Sequence, residues 1–95
     1  MSNLGEAYLD LGEIERAIEY YEQALVIARE IGERLEEAID LHIIGALYKD
    51  QGNTPLAHQY LEQALAIFEE IKSPYAEESR KLLAELENND PGAAQ

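Results

Sequence analysis

The chain has 95 residues, 46% of them hydrophobic and 28% charged, with seven Lys plus Arg against twenty Asp plus Glu for a net charge of -13. That length suits one domain with a modest core, and so much apolar content separates it from a disordered chain of similar charge. So acidic a surface repels phosphate backbones, which argues against nucleic acid and anionic membranes and favours basic or neutral partners. The absence of cysteine excludes disulfides and thiolate zinc sites.

No apolar run approaches the roughly 18 residues of a membrane span, and the N-terminus has neither a basic region nor an apolar signal core. The expectation is a cytoplasmic protein.

One stretch is spelled twice. Gly5, Tyr8 and Gly12 return as Gly45, Tyr48 and Gly52, a period of 40 residues. The agreement continues through Ala17 and Ala57, Tyr20 and Tyr60, and Glu22-Gln23-Ala24-Leu25 against Glu62-Gln63-Ala64-Leu65. Self-similarity at a fixed period of this length predicts stacked helical repeats.

In chain order, the spacing predicts a first helix over 2–11, with Leu4, Ala7, Tyr8 and Leu11 on one face, closed by Gly12. A second helix is predicted over 14–31. Its apolar face is Ile14, Ala17, Ile18, Tyr21, Ala24, Leu25, Ala28 and Ile31, and a narrower stripe of Tyr20, Ala24 and Ile27 widens it. After Gly32 a third helix is predicted over 35–50, with Leu35, Ala38, Leu41, Gly45 and Tyr48 on one face. Glycine in mid-helix costs about 1 kcal/mol relative to alanine. Two of them at equivalent positions therefore predict close approach of a neighbouring helix, with the tyrosines filling the space alongside.

Gly52-Asn53-Thr54-Pro55 reads as a stop followed by a start, with Thr54 as cap and Pro55 in the first turn of a fourth helix over 55–71. Its inner face is Ala57, Leu61, Ala64, Leu65, Phe68 and Ile71, with His58 standing where the first copy has Ile18. Ser73-Pro74 predicts the start of a fifth helix over 74–87 that turns Ala76, Ser79, Leu82, Leu83 and Leu86 inward. Terminal repeats diverge where one side meets water, so this reads as a capping helix, with a frayed tail beyond it.

These residues resemble the tetratricopeptide repeat: Leu4, Gly5, Tyr8, Gly12, Ala17, Tyr21, Ala24, then Ile44, Gly45, Tyr48, Gly52, Ala57, Leu61, Ala64. The resemblance covers residues 1–71 and implies an all-α fold, an antiparallel helix-pair solenoid of two repeats (1–32 and 33–72) with a capping helix over 74–88 and a disordered tail over 89–95. The 40-residue period is similar to the longer-helix variant of that family. Because the first helix begins about a turn late, the chain reads as the C-terminal portion of a longer array.

What the resemblance implies for function is a non-enzymatic scaffold that binds a peptide or helix of a protein partner in a concave groove. The groove positions are Asn3, Glu6, Leu9 and Asp10 from the first helix, and Ile39, His42, Ile43, Ala46, Lys49 and Asp50 from the third. Asp10 and Asp50 stand where a carboxylate-clamping member has basic residues, which argues against capture of peptide C-termini.

Two readings of the stripe Ile39, His42, Ile43 and Ala46 stand side by side: a groove for an amphipathic or extended segment, or packing on the first and fifth helices. The alternative to a ligand-binding groove is self-association, a homodimer through an open N-terminal face or by helix exchange. The chain shows no phosphate loop, nucleophile elbow or zinc signature, and neither catalysis, cofactor nor metal is expected. His42 and His58 lack the helical spacing of metal ligands; His58, on an apolar face, is a candidate pH-sensitive group. Glu30 with Arg34 and Glu77 with Lys81 have the order of supporting i, i+4 pairs.

Overall fold

A computed structural model describes residues 13–89, which form four α-helices: α1 (Ile14–Ile31), α2 (Arg34–Asp50), α3 (Thr54–Glu70) and α4 (Ala76–Asn89). They answer to the second through fifth predicted helices, and the first predicted helix lies outside the described residues. Among the described residues the fold is all-α, and each helix packs mainly on the next, with α2 and α4 also in contact.

The turns follow from the backbone. Gly32 takes a left-handed conformation at φ 76°, and the Glu33 N–H donates to the Ala28 carbonyl at 2.9 Å, closing α1. One period later Lys72 does the same work at φ 58°, with the Ser73 N–H donating to the Phe68 carbonyl at 2.8 Å. A side chain there is disfavoured by roughly 1 kcal/mol, which glycine avoids.

Two start signals differ from expectation. The cap of α3 is Asn53 rather than Thr54, its Oδ1 accepting the Leu56 N–H at 3.4 Å. Asn53 precedes the helix while Thr54 is already its first residue, so only Asn53 has the geometry to cap. Ser73-Pro74 does not open α4 directly: residues 73–75 form turns, and the helix runs from Ala76 to Asn89.

The main core gathers Ile18, Tyr21 and Leu25 of α1, Leu41, Ile44 and Leu47 of α2, and Ile67 and Phe68 of α3. A second cluster of Ala57, Leu61 and Leu86 seats α4 on α3. A Cβ added at Gly45 would lie 2.7 Å from Leu61 Cγ and 3.2 Å from the Ala57 carbonyl oxygen, so the glycine permits the α2–α3 approach. Tyr48 fills the space beside it, its ring 5.6 Å from that of Tyr60.

Ile31, Leu35 and Ile71, assigned to inner faces by their spacing, are exposed. Each lies at or beside the end of a helix, next to a turn. Ile27 is also nearly half exposed, which narrows the second stripe of α1. Gly32 separates Glu30 from Arg34, so the two do not share a helix. Arg34 turns instead to Glu37 and Glu70, and Glu77 pairs with Arg80 rather than Lys81.

Candidate functional site

At about 100° per residue, Ile39, His42, Ile43, Ala46, Lys49 and Asp50 fall on one contiguous arc of α2, opposite the face that carries Leu41 and Ile44. Helix α4 covers one margin of this arc. His42 Nδ1 and Ser79 Oγ lie 2.9 Å apart in a hydrogen bond, and Lys49 Nζ lies 3.2 Å from Glu85 Oε1. Ile39 and Ile43 are half-buried and touch the main core, Ala46 is half-buried, and Asp50 is exposed at the helix end. The stripe is thus partly packed within the chain. Asn3, Glu6, Leu9 and Asp10 lie outside the described residues.

Above the His42–Ser79 contact the surface opens into a hollow of about 290 Å³, lined by Ile39 and His42 of α2, Phe68 of α3, Tyr75 of the connecting turn and Glu78 of α4. Phe68 is only 2% exposed and forms the apolar base. Its ring lies 5.7 Å from that of Tyr75 at 59°, and 6.4 Å from the imidazole of His42 at 65°, both within the range of favourable aromatic pairs. Tyr75 is 52% exposed. Its backbone is fixed by the turn, where the Tyr75 N–H donates to Ser73 Oγ at 3.2 Å.

Burial lowers the His42 pKa, and the nearby carboxylate of Glu78 only partly opposes this. At neutral pH the imidazole is therefore uncharged, and Glu78 carries the one formal charge of the lining. On the other margin of the arc, well around α2 from His42, Asp40 is 1% exposed and its Oδ2 has no hydrogen-bond partner. Burial, then hydrogen bonding to Glu36 and its charge, push the Asp40 pKa up to about 8. These causes all favour the protonated form of Asp40.

On the α1–α3 side the Tyr60 hydroxyl donates to Glu22 Oε1 at 3.0 Å. Burial and this bond raise its pKa to about 12. The contact joins equivalent helices of the two copies.

A histidine hydrogen-bonded to a serine is the pairing that nucleophilic catalysis would use. Here Ser79 has no exposed surface and lies inside α4, where the backbone amides are engaged along the helix. The pair serves as a clasp between α2 and α4. His58 sits elsewhere, its Nδ1 3.4 Å from Glu62 Oε1 on the same helix. Among the described residues no three His, Cys, Asp or Glu side chains come together as a metal-binding group, and no helix is long and apolar enough to cross a membrane.

Sequence spacing pointed to Ile39 and His42 but not to Phe68, Tyr75 and Glu78 as companions in one hollow. A signal was present for Phe68, since the first copy has Ala28 at the equivalent position. The substitution supplies the ring on which the hollow is built. Tyr75 and Glu78 belong to the turn and the outer side of α4, where the repeat no longer predicts neighbours.

A family model described as tetratricopeptide repeat matches residues 1–70. No curated protein matches the chain.

Proposed function

The chain belongs to the tetratricopeptide repeat family, and from that premise we propose that it captures a segment of a partner protein in the groove between α2 and α4. Repeats of this family generally mediate protein–protein interaction. The observation that carries the finer reading is the hollow at Ile39, Phe68 and Tyr75, an apolar recess left open among the described residues beside a half-exposed aromatic ring. Burying one bulky apolar side chain there contributes about 1.5–3 kcal/mol, enough to anchor a short segment whose backbone follows the arc of α2.

The test is selection of a displayed random peptide library on the immobilised chain and on its Ile39→Asp and Tyr75→Ala variants, with melting curves for all three. Enrichment on the parent chain that disappears on both variants, while the helical melt of Tyr75→Ala persists, supports the groove. Equal enrichment on all three places binding elsewhere.

Self-association is a second reading, favoured by the exposed Val26, Ile27 and Ile31 of α1. Light scattering at tens of micromolar separates the two. A dimer that resists dilution, and dissociates in Ile27→Glu, favours this second reading.

A further inference from the structure

We infer that the partner segment carries a lysine or arginine beside its apolar anchor, and that this cation seats between the ring of Tyr75 and the carboxylate of Glu78. The inference rests on the groove reading above and adds to it the chemistry of the occupant.

The first support is the pairing of an exposed aromatic face with a carboxylate at one rim. Tyr75 and Glu78 are three residues apart at the start of α4, joined by the Glu78 N–H to Tyr75 carbonyl bond at 3.0 Å, and both line the hollow. One presents a π-face and the other a negative charge, the two features that attract a guanidinium or ammonium group. An acidic or purely apolar segment would use neither.

The second support is charge. His42, the basic group in the lining, is held neutral by burial, so Glu78 is not neutralised from within the hollow. Arg80 is engaged with Glu69 and Glu77, Lys49 with Glu85, and Arg34 with Glu37 and Glu70, and among the described residues no ion pair joins Glu78 to Lys81, three residues on along α4. Against a net charge of -13, a cationic segment also gains from long-range attraction during encounter.

The third support is the division of the hollow itself. Ile39 and Phe68 make an apolar floor, while Glu78 lies at the α4 rim. One segment can fill the floor with a leucine- or phenylalanine-sized side chain and place a neighbouring basic side chain over the rim, its aliphatic stem against Tyr75.

The experiment is the peptide-library selection, read for composition and repeated on Glu78→Lys and Tyr75→Leu. The expected result on the parent chain is enrichment of sequences pairing a bulky apolar residue with Lys or Arg one to three positions away. A representative selected peptide, labelled and titrated, should bind about fivefold more weakly to Glu78→Lys, the order expected for losing an exposed ion pair. It should lose a similar factor on Tyr75→Leu. Its affinity for the parent chain should also fall between 50 mM and 500 mM salt.

Selection of apolar sequences with no basic preference, unchanged on Glu78→Lys, overturns this inference while leaving the groove reading standing. No enrichment at all, or enrichment indifferent to Ile39→Asp, overturns both. Enrichment of acidic sequences on the parent chain contradicts the charge argument directly.

Discussion

Two faces of the same helix meet opposite fates in this fold. The inner face of α2, with Leu41, Ile44 and Gly45, is closed against α3 so tightly that no Cβ fits at Gly45. The outer face, with Ile39, His42 and Ala46, meets α4 through two polar clasps and leaves a hollow between them. The inner face follows the residues the chain repeats, notably Gly45 after Gly5 and Ala57 after Ala17. The hollow uses residues that change, as with Phe68 for Ala28. On the proposed reading, the repeat builds its scaffold from what is constant and leaves recognition to what varies.

Breaking the inner face should have the largest effect. Leu41 is 1% exposed in the main core, and Leu41→Ala should destabilise the chain by about 3 kcal/mol in urea melts, from lost burial and the cavity left behind. A loss below about 1 kcal/mol would mean that the core is far looser than described.

Gly45→Ala probes the same face from the other side. Helix propensity alone would favour it by about 1 kcal/mol, but the added methyl meets Leu61, which has no exposed surface and little room to move. Overpacking of this kind costs about 1–3 kcal/mol, so the net change should be destabilising by about 1 kcal/mol, and smaller in a Leu61→Ala background. Stabilisation by Gly45→Ala would show that the approach is not tight.

The outer face should reveal itself through pH, and the two perturbed groups on α2 act in opposite senses. His42 has its pKa lowered below 6.5 in the folded state, so between the two values the unfolded chain binds more protons. Its stabilising contribution is complete above pH 6.5 and is lost as pH falls from there. Asp40 is raised from 3.8 to about 8, so the folded chain binds more protons across that window and this contribution is lost as pH rises through it.

Each slope is bounded by about 1.4 kcal/mol per pH unit. Below pH 6.5 the two slopes oppose each other, and from there to about 8 the Asp40 slope acts alone. Melting temperature measured from pH 4.5 to 8.5 should therefore fall more steeply with rising pH below 6.5 in His42→Gln, and should lose its decline between pH 6.5 and 8 in Asp40→Asn. Parallel curves for parent and variants would contradict both assignments.

The smallest effect belongs to the turn that supports Tyr75. Replacing Lys72, at φ 58°, with glycine should stabilise the chain by up to about 1 kcal/mol without altering the two faces.

The sequence made the helices legible because their apolar faces recur at helical spacing, and α1 spans the predicted 14–31. Gly45 could be read as a crossing point because it occurs at the same place in both copies. Asp40 escaped detection, since a carboxylate beside apolar neighbours carries no sequence mark of being buried. The hollow was half legible. Ile39 and His42 sit on a regular helix whose arc can be drawn from spacing, whereas Tyr75 is placed by a turn that begins α4 two residues after Pro74. Ile31 and Leu35 misled because spacing shows which side of a helix a residue faces but not whether it is covered, and both sit beside the turn at Gly32.

The proposed division of α2 into a structural face and a recognition face is tested most directly on Tyr75→Ala, a change in an exposed side chain at the rim of the hollow. The affinity of a peptide selected on the parent chain should fall about tenfold while the melting temperature stays within a few degrees. Unchanged affinity would show that recognition does not use this face.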